Sequence, residues 1–199
     1  MENRTLVIAD EMFGPRGEAA ELFSQLLLCL EPERPRQFVF NTPLYGSIES
    51  LYSKQELDII GKQAGRIIFG VGLRELRRGV PPEELFNLFR KLILDVSVRT
   101  AGEIYLVTIP EAASPDTPFS INHWNDLIGT LQSSNIILLD FAKEESLFQQ
   151  RQLARGKFVR NLWNEKGEPT PMCLTLLALF LQKSFMKKSI PEIGTSKEA

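Results

Sequence analysis

Residues 6–12, Leu-Val-Ile-Ala-Asp-Glu-Met, decide the fold of this chain. An apolar run without polar alternation, here residues 6–9, is typical of a strand that is buried on both faces of a parallel sheet. Two carboxylates, Asp10 and Glu11, follow the run at once. Because ligands of open α/β sheets bind beyond the carboxyl ends of the strands, the segment predicts a functional crevice at this point.

Strand-length apolar runs and longer helical patterns alternate along the rest of the chain. The further predicted strands are 38–40, 66–71, 104–109 and 135–140. The predicted helices are 17–30, a helix opened by Ser53 with Glu56 in capping-box register, one starting at Pro81 and Pro82, one capped by Ser120, 143–157, and 170 to about 185. The alternation predicts an α/β fold of three α/β/α layers, with five parallel strands doubly wound in the order 2-1-3-4-5. The domain would span residues 1–187, and the polar residues 188–199 would form a disordered tail.

Composition and charge exclude several classes of protein. The chain has 199 residues, of which 43% are apolar, enough for one folded domain. A net charge of −2 provides no basic face for nucleic acid. The most apolar stretch, Met172 to Leu181, is too short to span a bilayer, and no signal peptide precedes the first strand. We therefore expect no membrane association and a cytoplasmic location.

The two cysteines predict no disulfide and no metal site. Cys29 and Cys173 both lie in apolar segments, where small core residues are expected. No combination of cysteine, histidine and acidic residues has zinc-like spacing. We expect no cofactor on this basis.

The order of the elements and several short segments resemble the SGNH (GDSL-type) hydrolases. In that family the first strand ends in Gly-Asp-Ser-Leu, and the serine is the nucleophile. The matching segment here is Ala9-Asp10-Glu11-Met12, with Glu11 at the position of the serine. The resemblance implies the α/β/α fold of these enzymes, and a generic flavodoxin-like domain is the alternative.

The other blocks of the family also differ from its pattern. Gly46 matches the glycine that donates to the oxyanion. Residues 70–73, Gly-Val-Gly-Leu, match Gly-x-Asn-Asp, with Gly72 in place of the asparagine. Residues 167–170, Gly-Glu-Pro-Thr, match Asp-x-x-His, with Thr170 in place of the histidine. The resemblance therefore implies a catalytically inactive domain that serves in protein interaction or ligand binding.

A different set of residues could support an activity instead. Asp10 and Glu11 offer the oxygen ligands that Mg²⁺ prefers. His123, the only histidine, follows the fourth strand at the functional end of the sheet. The alternative is a divergent hydrolase, or a metal-dependent enzyme or sensor, that uses these three side chains. In the opposing interpretation one carboxylate caps a helix or loop, the other is solvated, and His123 lies on the surface.

Two-component receiver domains also place an acidic pair after the first strand. Thr108 and Lys143 lie near two further positions of the receiver pattern. Phe69 and Gly70, however, stand where a receiver needs the aspartate that accepts the phosphate. The receiver interpretation fails for that reason.

Candidate ligand-binding residues line the predicted crevice. They are Asp10, Glu11, Gly46, Gly70, Gly72 and Thr170. A basic cluster, Arg74, Arg77 and Arg78, follows the third strand beside them. The cluster predicts either contact with an acidic ligand or partner, or a solvated loop.

The last predicted helix is apolar on more than one side. Met172, Leu176 and Leu179 are among residues that spread further round its axis than the stripe of roughly 100° that covers a sheet. We therefore expect some of them to be exposed in a monomer. This pattern predicts that the protein works with a protein partner, or as a homodimer, through the C-terminal helix.

Overall fold

The sheet is parallel throughout in a computed structural model that describes residues 4–30, 37–41, 47–113, 119–157 and 161–187. Its strands are β1 (Arg4–Ala9), β2 (Gln37–Asn41), β3 (Arg66–Gly70), β4 (Glu103–Val107) and β5 (Ile136–Leu139). They lie in the order β2-β1-β3-β4-β5. The predicted doubly wound α/β fold is therefore confirmed.

Helices cover both faces of the sheet. They are α1 (Glu18–Leu30), α2 (Ile48–Ser53), α3 (Gln55–Asp58), α4 (Leu73–Arg77), α5 (Pro82–Arg99), α6 (Ile121–Gly129), α7 (Phe141–Ala154) and α8 (Pro171–Lys187). In one layer α8 packs against α1 and α7, and in the other α5 packs against α2 and α6. The sheet thus lies between two helical layers, as a parallel sheet with apolar strands requires.

Aromatic side chains join each helical layer to the sheet. Phe69 of β3 packs against Phe89 of α5, which in turn contacts Trp124 of α6. On the opposite face, Tyr105 of β4 packs against Phe185 of α8. All five side chains are at most 2% exposed. Since burying one large apolar side chain contributes roughly 1.5–3 kcal/mol, these contacts stabilise the packing of both helical layers on the sheet.

The register of β1 and β3 brings two chain segments together at the edge of the crevice. Ala9 pairs with Gly70, and the N–H of Asp10 donates to the carbonyl of Gly70 at 2.9 Å. Both strands therefore end at the same level. The residues that follow them, 10–13 and 71–77, are neighbours in space as a consequence.

Two local predictions are wrong. Ser53 does not open a helix, because α2 begins earlier, with Ser47 as its cap: the Ser47 Oγ accepts from the N–H of Ser50 at 3.2 Å. Ser53 instead donates to the carbonyl of Ser50 inside that helix. Cys29 is exposed because it lies on the solvent side of α1, whereas Cys173 is buried as predicted.

The described strands and helices up to Lys187 form one sheet with its two helical layers. The predicted tail, residues 188–199, lies outside the described residues. Within the described ranges, no helix combines the length and the apolar character needed to cross a membrane.

Candidate functional site

Asp10 lies directly beyond β1 and is hydrogen-bonded through both carboxylate oxygens. Its Oδ1 accepts from the N–H of Met12 at 3.0 Å. Its Oδ2 accepts from the N–H of Leu73 at 2.8 Å and from that of Arg74 at 3.4 Å, so Asp10 caps α4 from outside that helix. Burial raises the pKa of Asp10 to about 7, against the hydrogen bond from Met12 and with a further contribution from the charge of Glu75.

Two arginines of α4 hold the carboxylate of Glu11. Its Oε1 accepts from Nε of Arg74 at 3.2 Å, and its Oε2 accepts from Nη1 of Arg77 at 2.6 Å. Through Nη2, Arg77 also donates to the backbone carbonyls of Ala113 and Gly167. One guanidinium therefore ties the end of β1 to the loop after β4 and to the loop before α8.

The basic cluster after β3 is part of the crevice. The side chains of Arg74 and Arg77 are only 13% and 21% exposed, and both face Glu11. Arg78 is exposed. The interpretation as a solvated loop is wrong for Arg74 and Arg77, because both lie in α4 and are mostly buried. The acidic group that they contact is Glu11 of the same chain.

Gly70 and Gly72 leave no room for a side chain at the end of β3. A β-carbon at Gly70 would lie 2.1 Å from the ring of Phe13, and one at Gly72 would lie 2.8 Å from the indole of Trp124. Gly72 also has a φ of 113°, which other residues rarely adopt. The indole thus fills the volume in which an asparagine side chain would begin. Its Nε1 is buried and has no hydrogen-bond partner in the described part of the chain.

Thr170 caps the start of α8. Its Oγ1 donates to the carbonyl of Leu162 at 2.9 Å and accepts from the N–H of Cys173 at 3.4 Å. The hydroxyl is therefore occupied by the backbone on both sides of the helix start. Gly46, the predicted oxyanion donor, lies outside the described residues.

His123 makes its described contacts away from Asp10 and Glu11. Ser120 caps α6 as predicted and accepts from the N–H of His123 at 3.3 Å. The imidazole Nε2 pairs with Glu83 of α5 at 2.8 Å, and the side chain is 45% exposed. In the ranges that the structure describes, no three His, Cys, Asp or Glu side chains are grouped as metal ligands.

A second cleft, which the sequence analysis missed, lies between α6 and α7 at the carboxyl ends of β4 and β5. We call it the α6–α7 cleft; its volume is about 640 Å³. Its charged lining residues are Glu111, Asp126, Asp140, Lys143 and Glu145. Thr108 also lines it. Thr108 and Lys143 are the two residues that lie near positions of the receiver pattern, and no sequence signal predicts that they lie beside Glu145.

Glu145 is the buried acid of the α6–α7 cleft, with 4% exposure. Its Oε1 accepts from Nε1 of Trp163 at 3.1 Å and from Nε2 of Gln149 at 3.0 Å. Burial raises the pKa of Glu145, and these two hydrogen bonds oppose the rise. Its Oε2 has no hydrogen-bond partner among the described residues. A buried carboxylate is therefore held in place with one oxygen still available.

Comparison with known proteins supports the fold and not a particular activity. No protein-family profile and no curated protein matches the sequence. Among solved structures, the acetyl xylan esterase AlAXEase has 15% identity and a TM-score of 0.73, over 90% of this chain and 98% of the esterase. Axe2, an acetylxylan esterase from Geobacillus stearothermophilus, has 15% identity and a TM-score of 0.69, over 99% of this chain and 100% of Axe2.

A candidate GDSL-like lipase from Parabacteroides merdae is similar to the same extent. It has 13% identity and a TM-score of 0.70, over 92% of this chain and 95% of the lipase. At such low sequence identity, a match over whole chains shows that the backbone folds are similar and does not identify an activity. The strand order, the helical layers and these matches together show that this chain has the α/β/α fold of the SGNH (GDSL-type) hydrolases.

Proposed function

We propose that this chain is a non-catalytic domain that uses the hydrolase scaffold for binding. The observation that carries the proposal is the bridge made by Arg77, from Glu11 to the carbonyls of Ala113 and Gly167. In the match to the hydrolase blocks, Glu11 replaces the nucleophile, and Gly167 opens the block that should carry the base. The bridge joins the two parts of the site that a substrate would have to separate.

The positions of the nucleophile and of the general base both lack the side chain that serine acyl transfer needs. Catalytic mutants of Axe2 replace a serine or a histidine, so that enzyme uses both residue types. In this chain the carboxylate of Glu11 is neutralised by two arginines. Thr170, at the position of the histidine, cannot act as a general base, and its hydroxyl is bound to the backbone. Serine acyl transfer needs a nucleophile and a base within hydrogen-bond reach of each other.

The alternative, a divergent or metal-dependent enzyme based on Asp10, Glu11 and His123, has less support. Both oxygens of Asp10 accept backbone N–H groups, and Glu11 is paired with arginines. His123 pairs with Glu83. A metal ion would have to displace all of these partners before it could bind the three side chains.

Hydrolysis of short-chain nitrophenyl esters and labelling by a fluorophosphonate probe test the proposal. We expect turnover at the level of the solvent reaction, with and without Mg²⁺ or Mn²⁺, because loss of a catalytic serine or histidine typically costs about a million-fold. Glu11→Ala and His123→Ala variants are the matched comparisons. Turnover well above background that disappears in either variant would establish the alternative enzyme.

The proposed binding function includes self-association through α8. Most of its apolar side chains are buried or half-buried against the rest of the domain, but Met172 and Leu179 are 39% and 45% exposed. Leu176, which is partly buried, lies between them on the same side of the helix. We infer a weak homodimer, since this strip is narrower than the surface that stable dimers use.

A further inference from the structure

Arg74 and Arg77 of α4 hold one carboxylate between them, with one guanidinium group on each oxygen. Nε of Arg74 lies 3.2 Å from Oε1 of Glu11, and Nη1 of Arg77 lies 2.6 Å from Oε2. The two arginines are three residues apart, so their side chains extend from the same side of the helix. Charge-assisted donors on both oxygens bind a carboxylate group strongly and fix its orientation. We call this pair of guanidinium groups the Arg74–Arg77 site.

Contacts other than those with Glu11 hold the site in place. Nη2 of Arg77 donates to the carbonyls of Ala113 and Gly167. The segments that carry these carbonyls pack directly on each other, because a β-carbon at Gly167 would collide with the carbonyl of Ala113. Asp10 also anchors the first residues of α4, through two of their backbone N–H groups. The site therefore keeps its position when its carboxylate is removed.

Glu11 is the more loosely held member of this arrangement. The two arginines are the described partners of its carboxylate, and its side chain is 38% exposed. The arginine side chains are mostly buried. Partly exposed ion pairs contribute little to stability, whereas a buried guanidinium group without an anion is costly. The arginines therefore require a carboxylate, but these contacts do not require that it belongs to Glu11.

Two buried carboxylates adjacent to these residues in the chain are held by backbone groups. Asp10 accepts three backbone N–H groups. Glu75, which is 8% exposed, accepts from the N–H of Ile48 at the start of α2 at 2.8 Å. Because these hydrogen bonds fix both carboxylates, an anion that replaces Glu11 has to come from solvent.

We propose that the Arg74–Arg77 site binds the carboxylate group of a small organic acid, and that Glu11 occupies the site as an internal ligand that this acid displaces. The proposal rests on the proposed binding function and deepens it, because it assigns a site and a ligand class. The two oxygens of the acid would accept from Nε of Arg74 and Nη1 of Arg77, while the carboxylate of Glu11 turns into solvent. Since Glu11 is attached to the same chain, its high effective concentration weakens binding of the acid by the native protein.

An NMR titration with propionate, followed on the Nε–H signals of Arg74 and Arg77, tests the site. Propionate has the shape of the end of a glutamate side chain. We expect saturable binding to the native chain, and about tenfold or more tighter binding to Glu11→Ala. Propionamide, which has the same shape and no charge, should bind to neither protein.

Each other outcome of the titration contradicts a part of the proposal. Equal affinities of the native chain and Glu11→Ala would show that Glu11 does not occupy the site. Binding to Glu11→Ala alone would overturn the displacement in the native protein. Absence of binding to both proteins, or equal binding of propionate and propionamide, would overturn the site itself.

Matched variants in the Glu11→Ala background separate the site from general charge effects. Arg74→Gln should weaken propionate binding by about tenfold or more, because one of two charge-assisted donors is lost. Arg78→Gln makes the same change in charge at the exposed neighbouring arginine and should leave the affinity unchanged. Equal weakening in both variants would overturn the site, as would binding of inorganic phosphate without binding of propionate.

Circular dichroism checks that these variants fold. If Arg74→Gln does not fold, Arg74→Lys takes its place, because lysine keeps the charge and lacks the planar guanidinium group. We expect weaker propionate binding in Arg74→Lys as well, and an unchanged affinity would overturn the role of Arg74.

Failure of this site and failure of the proposed function give different results. Absence of propionate binding together with absence of ester hydrolysis would remove the site alone. Ester hydrolysis by the native chain that disappears in Glu11→Ala would remove the non-catalytic function, and it is measured without propionate.

Discussion

Asp10 is a buried carboxylate whose native environment favours the protonated form. Burial is the main cause, and it moves the pKa from an ordinary value of 3.8 to about 7. A group whose pKa is raised in the native state binds more protons there than in the unfolded state. Its contribution to stability is therefore largest at acid pH and is lost as the pH rises from about 4 to about 7.

The pH dependence of unfolding in the Asp10→Asn variant tests this linkage. We expect the free energy of unfolding of the native protein, relative to the variant, to fall by on the order of 2–4 kcal/mol between pH 4 and pH 7. Urea titrations at several pH values measure it. A difference that is constant or that grows with pH would show that the three N–H donors, and not burial, control this carboxyl.

Arg77 stabilises the crevice through three acceptors at once. Arg77→Ala removes the ion pair with Glu11 and both carbonyl contacts. We expect the free energy of unfolding to fall by about 1–3 kcal/mol. This range already allows for the weakening of the partly exposed ion pair by solvent. Arg78→Ala, an exposed neighbour on the chain, should change it by less than about 0.5 kcal/mol. Equal effects in chemical denaturation would mean that the bridge does not stabilise the native state.

Helix α2 is capped by Ser47 and not by Ser53. Ser47→Ala removes the hydroxyl that accepts from Ser50, and we expect a cost of about 1 kcal/mol. Ser53→Ala should cost less than about 0.5 kcal/mol, because Ser53 is exposed and lies within the helix. Thermal unfolding of both variants measures the difference. A larger loss for Ser53→Ala would restore the capping box that the sequence suggested.

The exposed strip on α8 predicts that two molecules associate. We expect light scattering to show a dimer at high micromolar concentration, and Leu179→Asp to return it to the monomer mass of 22.6 kDa. Leu153→Asp on α7, a leucine that is 65% exposed, is the matched control and should leave the mass unchanged. A native protein that is monomeric at these concentrations would contradict the proposed homodimer.

The sequence alone was enough to predict the order of the strands and helices. Burial on both faces leaves a continuous apolar run, as in residues 6–9 and 66–71, and the short connections then restrict the sheet to few topologies. The cap at Ser120 and the early prolines of α5 were equally local signals, and both were confirmed. Such signals survive because each depends only on residues within a few positions of one another.

The contents of the crevice and the α6–α7 cleft were decided by tertiary structure. Glu11 and Arg77 are 66 residues apart, and only the common end of β1 and β3 brings them together. In the sequence, Gly72 indicates only that an asparagine is missing. In the structure, the indole of Trp124 packs against Gly72 and leaves no room for a side chain. The free oxygen of Glu145 depends on contacts from Gln149 and Trp163. Charge pairs and clefts of this kind depend on distances across the sheet, and the hydrophobic pattern of a sequence carries no information about those distances.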